Sequence, residues 1–208
     1  MIELTIGFDV GVKTMSMCAI EHSTQRIIEW QCVHLDAPHN FPWCHVCGGE
    51  VYAKSKASDS PTLVVCKKHA TGAYKKLCTR LSTATLVRRT WEWLSAMHPD
   101  IWKAAKAVVI EQQPKKNALT YSLSYILFTH LVRILKPRVV PKFVSSKFKC
   151  RSYLTRETTY QGRKKAAIAA TVSILPDEDI AYLALFPKMD DLSDSFLMAW
   201  TCMHQSVD

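Results

Sequence analysis

No stretch of this sequence is long and apolar enough to cross a bilayer, which takes about 20 residues. The nearest approach, ALTYSLSYILFTHLVRILKP, is interrupted by Tyr121, Ser122, Ser124, His130 and Arg133. The N-terminus lacks the succession of basic region, apolar run and small-residue cleavage site that marks a secretory signal, so an intracellular protein is expected. Internal repeats and low-complexity segments are absent, and the composition is that of neither a disordered chain nor a collagen. Acidic residues are the scarcer charge: 18 Asp and Glu stand against 27 Lys and Arg, a formal charge of +9. That balance favours a polyanionic partner, most simply nucleic acid.

What is present suits one domain with a real core and a small appendage: 208 residues, 48% of them hydrophobic. In an intracellular setting the eight cysteines are expected as reduced thiols or metal ligands, not as a disulfide framework. Three of them join a histidine in a C-x2-C-x18-C-x2-H pattern formed by Cys44, Cys47, Cys66 and His69. Each close pair brings two ligands onto one tetrahedral Zn²⁺, and the intervening loop joins the two knuckles. Gly48 and Gly49 follow the first pair, where a tight turn is wanted. All four positions are filled by protein, so the predicted ion is structural. His39 and His45 fit the paired spacing less well. Cys18, Cys32, Cys78, Cys150 and Cys202 lie in apolar or mixed contexts and are expected to pack.

Along the chain, IELTIGFDVG, TMSMCAIEH and RIIEWQCVHL read as three strands of an antiparallel meander. A segment rich in Pro, Gly, Ser and Lys follows and is expected as a zinc-binding insertion over residues 40–72. Apolar residues at helical spacing (Leu77, Leu81, Ala84, Val87, Trp91, Leu94) predict a helix from Ala73 to about Met97. AKAVVIEQQP reads as a buried strand closed by Pro114. A helix is expected from Asn117 to Lys136, a fifth strand in RVVPKFVSS near an edge because of Pro141, and a helix from Gly162 to Leu175. DDLSDSFLMAW opens a last helix. This order predicts an α/β fold: a mixed five-stranded sheet flanked by helices, with the insertion set into it.

The acids form a second constellation. Asp9 ends the first strand and Glu111 ends the buried strand AVVIE. Burying a carboxylate costs several kcal/mol unless something compensates it, and two such strand ends point to a shared ion. Asp191 and Asp194, three residues apart, share one helical face. Asp190 points about 100° away and is expected in solvent or behind the site. Four carboxylates from two strands and one helix suit a pair of Mg²⁺ or Mn²⁺ ions, which can activate water and stabilise a leaving oxygen in phosphodiester cleavage. Arg163, Lys164 and Lys165 open a helix, where cations are unfavourable unless they meet DNA phosphates. Tyr121, Tyr125, Phe128 and Leu135 lie outside the main stripe of the Asn117 helix and mark either an interface or further core. Trp91, Trp93 and Trp102 are expected in the core rather than stacked on bases.

Together IGFDVGVKT, VVIEQQP and DDLSDSFLMAW resemble the RuvC-like Holliday junction resolvases of the RNase H-like superfamily, and most nearly those of poxviruses and other large DNA viruses. The resemblance covers nearly the whole chain outside the cysteine-bearing insertion. It implies a single RNase H-like nuclease domain over residues 1–208. Asp9, Glu111, Asp191 and Asp194 would be its catalytic acids, and Lys164 or Lys165 would match a basic residue on the helix before the last. It further implies a homodimer on a four-way junction, acting at the host-cell site of viral DNA replication. Each subunit would nick one of two symmetric strands with Mg²⁺ and water, leaving a 5′-phosphate and a 3′-hydroxyl. The same acids would serve another RNase H-like nuclease or strand-transfer enzyme. A non-catalytic zinc-dependent nucleic-acid-binding module accounts for the charge and cysteines but leaves Asp9 and Glu111 unexplained. An actin-like phosphotransferase needs a second acidic phosphate loop and a longer chain.

Overall fold

The alternation in the first ten residues becomes strand β1 (Leu4–Val10). Leu4, Ile6, Phe8 and Val10 enter one core cluster, and the intervening Thr5, Gly7 and Asp9 fall on the opposite face. The computed structural model describes residues 2–35, 53–55, 64–65, 74–76, 82–135, 137, 139–149, 159–186 and 188–205. Strands β2 (Thr14–Glu21) and β3 (Ile27–His34) continue the antiparallel meander.

A further inserted sheet follows, of antiparallel strands β4 (Ala53–Ser55), β5 (Val64–Val65) and β6 (Tyr74–Lys76), in the order β5-β4-β6. Residues 74–76 thus pair with β4 and do not begin the helix expected from Ala73. The inserted sheet therefore runs past residue 72. The predicted zinc ligands Cys44, Cys47, Cys66 and His69 lie outside the described residues.

Helix α1 (Thr83–Ala96) starts where the Ser82 hydroxyl accepts from the Thr85 N–H at 3.2 Å, a side-chain N-cap. Its buried face is Leu86, Thr90 and Leu94, one position round from the expected stripe. Trp91 is therefore 57% exposed, contrary to its expected core place, while Trp102 is buried and Trp93 packs against the core edge-on to Phe8. A short helix α2 (Pro99–Ala104), which the sequence reading did not anticipate, begins on Pro99 at its first turn. It leads into β7 (Ala105–Glu111).

Helix α3 (Ala118–Ile134) buries Leu123, Leu127 and Leu131, spaced one turn apart. Leu135 joins the same core. Strand β8 (Lys142–Val144) begins after Pro141 and forms a sheet edge, where a missing N–H removes no ladder bond. The sheet order is β3-β2-β1-β7-β8, with β1, β7 and β8 parallel. This is the mixed five-stranded sheet expected.

Helices α4 (Tyr160–Ile174), α5 (Asp177–Ala184) and α6 (Met189–His204) follow. The sequence reading anticipated α4 and α6 but not α5. One sheet face is covered by α1 and α3 through Leu86, Leu94, Leu123 and Leu127. The other is covered by α6, which buries Leu192, Phe196 and Leu197 with Cys18 and Ile20 of β2. Each large side chain buried this way contributes about 1.5–3 kcal/mol. Gly7 sets how closely α6 approaches. A β-carbon there would lie 2.5 Å from the Ser195 carbonyl oxygen and 2.6 Å from the Ala199 nitrogen, so helix backbone rests on strand backbone.

Candidate active site

Two neighbouring strands and one helix converge at a single end of the sheet. In the parallel β1/β7 register Phe8 lies opposite Ile110. One residue further on, Asp9 and Glu111 follow at adjacent positions, on the face that α6 covers. The close approach at Gly7 brings Asp194, which immediately precedes Ser195, down onto them. One ligand atom from each of Asp9, Glu111 and Asp194 lies within 4.8 Å of the others.

Like charges crowded away from water resist ionisation. Burial, and then the Glu111 charge, raise the Asp9 carboxyl well above its ordinary range, against the pull of Lys149. Asp194 is pushed up to about 6 by burial, with Glu111 and Asp191 adding to it, although Lys149 lowers it. A Mg²⁺ or Mn²⁺ ion takes carboxylate oxygens at about 2.0–2.1 Å in octahedral geometry. Three partly buried carboxylate oxygens so close together need only contract slightly to hold one. The donor set, all oxygen, fits such a hard cation.

Asp191 stands apart from this trio. Its Oδ2 accepts a hydrogen bond from the Thr14 hydroxyl at 2.5 Å and lies 3.8 Å from the Lys188 ammonium. Its backbone carbonyl accepts from the Ser16 hydroxyl, also at 2.5 Å. Two hydroxyls of β2 thus pin the first turn of α6 and draw the Asp191 carboxylate toward β2. The four-acid cluster expected from sequence is a three-acid cluster with Asp191 one helical turn away. Asp190 is half-buried and not in open solvent. It pairs with Lys164, and that hydrogen bond lowers its carboxyl below the ordinary value despite burial. Lys164 also lies over the Tyr160 ring, 5.0 Å from its centroid. Arg163 and Lys165 are exposed on α4.

Sequence reasoning missed Lys149. Its ammonium lies 2.6 Å from Asp194 Oδ2 and 3.5 Å from Glu111 Oε2, with 12% of the side chain exposed. Burial works against its charge, but Glu111, Asp194 and Asp9 overcome this and hold its pKa above the usual lysine value. Phe148 anchors the turn that carries it, buried with Val109, Val144 and Met198. A signal was available. In parallel sheets, residues just past the carboxyl ends of strands gather at one edge, and SSKFK follows β8, the neighbour of β7.

The profile of the family described as Poxvirus A22 protein matches residues 72–205. No curated protein sequence matches the chain. Among solved structures, T. thermophilus RuvC in complex with Holliday junction substrate is similar at a TM-score of 0.50. The match covers 97% of this chain and 94% of that one, with 12% sequence identity. At that identity the likeness speaks to the fold, and the fold agrees with the RNase H-like expectation.

Proposed function

The chain belongs to the poxvirus A22 protein family, a family of Holliday junction resolvases, and we propose that it cleaves four-way DNA junctions by metal-assisted phosphodiester hydrolysis at Asp9, Glu111 and Asp194. The observation that carries this reading is the convergence of those three carboxylates within 4.8 Å at the carboxyl ends of β1 and β7.

Asp9, Glu111 and Asp194 would hold Mg²⁺ or Mn²⁺, with Asp191 bordering the place of a second ion. Bound there, divalent ions would supply a water of lowered pKa and would offset charge on the phosphate and the leaving oxygen. The chain's own residues supply the rest. Burial of the acids removes competing solvent and strengthens their hold on a cation. Thr14 and Ser16 fix the helix turn that bears Asp191. Arg163 and Lys165 face outward on α4 to meet backbone phosphates, and Lys164 is steered by Asp190. Attack by water with departure of the 3′-oxygen leaves a 5′-phosphate and a 3′-hydroxyl.

Paired symmetric nicks call for two sites, hence a homodimer. Support for its surface comes from a cavity of about 380 Å³ between α1 and α3 lined by Trp91, Leu94, Tyr125 and His130. Trp91 and Tyr125, which line it, expose apolar surface there, as an interface would. Cys44, Cys47, Cys66 and His69 would hold one structural Zn²⁺, a reading that rests on their spacing. Membership of a viral family supports action where viral DNA replicates in the host cell, and among the described residues no helix is long and apolar enough to cross a membrane.

The test is a labelled four-way junction incubated with protein and Mg²⁺. Paired symmetric nicks are expected, and Asp9→Asn should abolish them while sparing junction binding. Nicking that survives Asp9→Asn removes Asp9 from the chemistry. A non-catalytic binding module would leave the junction intact with the wild-type protein too.

A further inference from the structure

We propose that Lys149 is a displaceable internal counter-ion, and that its ammonium and a divalent cation are mutually exclusive occupants of the Asp194 and Glu111 oxygens. This rests on the reading of Asp9, Glu111 and Asp194 as ligands for such an ion.

The geometry sets the two cations in direct competition. The Lys149 nitrogen lies 2.6 Å from Asp194 Oδ2 and 3.5 Å from Glu111 Oε2. These oxygens belong to two of the three residues that converge. Asp9, Glu111 and Asp194 would hold a divalent ion through bonds of about 2.1 Å to carboxylate oxygen, shorter than the contacts the ammonium makes with two of the same residues. Placing a second positive charge against the same carboxylates is strongly unfavourable in a buried setting, where screening is weak. The ion carries twice the charge and can bond all three acids, whereas the ammonium reaches two. The ion therefore prevails at sufficient concentration, and the lysine must leave.

The surrounding architecture allows that exit. Phe148, buried with Val109, Val144 and Met198, fixes the backbone of the turn, and its N–H donates to the Ser145 carbonyl at 2.8 Å. The Lys149 head group hangs from this anchor on a flexible four-carbon stem, so it can swing while the chain stays in place. Until an ion arrives, Lys149 offsets part of the repulsion among the three acids and keeps the strand ends and α6 together. Lys149 thereby sets a threshold: the site stays closed by its own lysine until the metal concentration is high enough to displace it.

Mn²⁺ binding to the full-length protein without DNA, measured by isothermal titration calorimetry, tests this. Lys149→Met should bind Mn²⁺ about tenfold or more tightly than wild type, a gain of roughly 1.4 kcal/mol, and Lys149→Arg should bind no more tightly than wild type. The metal-free Lys149→Met protein should melt below wild type and regain the difference when Mn²⁺ is added. Mn²⁺ affinity that is unchanged or weaker in Lys149→Met overturns the proposal, as does a wild-type protein that binds no Mn²⁺.

A second measurement needs no variant. Lysine acetylation of the wild-type protein, read by mass spectrometry, should be faster at Lys149 with Mn²⁺ than without it. Equal rates overturn the proposal. Failure of the junction-cleavage reading would look different: a protein that binds Mn²⁺ and releases Lys149 yet leaves the junction uncut.

Discussion

Replacing Gly7 with alanine puts a single methyl group where the backbone of α6 rests directly on β1. The new β-carbon would stand 2.5 Å from the Ser195 carbonyl oxygen and 2.6 Å from the Ala199 nitrogen. Both are backbone atoms, so no side-chain rotation relieves the clash. Restoring an ordinary contact requires α6 to lift by roughly 1 Å. Overpacking of this kind costs about 3 kcal/mol, the upper end of the usual range, because a whole helix must move. In a domain of this size that lowers Tm by about 6–12 °C. Asp194 directly precedes Ser195 and rides upward with it, away from Asp9 and Glu111. A displacement of about 1 Å in a catalytic array can cost around a hundredfold in rate, and Mn²⁺ affinity should fall with it. Thermal unfolding, Mn²⁺ titration and junction cleavage measured on one preparation test the chain of reasoning. A Gly7→Ala protein with wild-type Tm and wild-type Mn²⁺ affinity would show that strand and helix do not set the site's spacing, and the argument would fail.

Three further outcomes are expected. In metal-free protein the Asp194 carboxyl, raised from 3.8 to about 6 chiefly by burial, favours the fold when protonated. That contribution is complete below pH 4 and is lost as pH rises through 6. Asp194→Asn should therefore gain on wild type with rising pH, by up to about 3 kcal/mol, and denaturant melts at pH 4 and 7.5 that show no such divergence count against the buried, crowded carboxyl. Thr14→Val deprives the Asp191 carboxylate of its 2.5 Å hydrogen bond; a loss of about 1–3 kcal/mol in urea unfolding is expected, with slower cleavage, and an unchanged midpoint speaks against a pinning role. Elemental analysis of folded protein should find about one zinc per chain, reduced by Cys44→Ser, and a folded, zinc-free preparation rules the site out.

Much of the fold was legible because it depends on local patterns. Alternation in β1 and the continuous apolar run of β7 each specify a strand, and the acids that end them stand out because an apolar strand rarely closes on a charge. Helix α1 was legible in kind but not in start or rotation. Tyr74–Lys76 falls inside the helix expected from Ala73 yet pairs as a strand with Ala53–Ser55, a partner some twenty residues away. The face of α1 was misjudged because Trp91 looks like core, whereas the polar Thr90 is what the structure buries.

The candidate site divides in the same way. Asp9, Glu111 and Asp194 could be read from strand ends and helical spacing. The position of Asp191 could not, because it is set by Thr14, distant in sequence and brought close only by the docking of α6 on β2. Lys149 takes one step more than local pattern: its signal is its place just past β8, and it counts once β8 is set beside β7, which brings the residues after it to Glu111.

Asp194 lies on α6, the last helix described, while Asp9 lies on the first strand. A ribosome therefore makes all five strands of the larger sheet before the third carboxylate exists to join the other two. Growing chains, and any product ending short of that helix, hold Asp9 and Glu111 without the Asp194 that joins them. Assembly of the three-acid centre is thus deferred until α6 has been made, by the order of the elements alone.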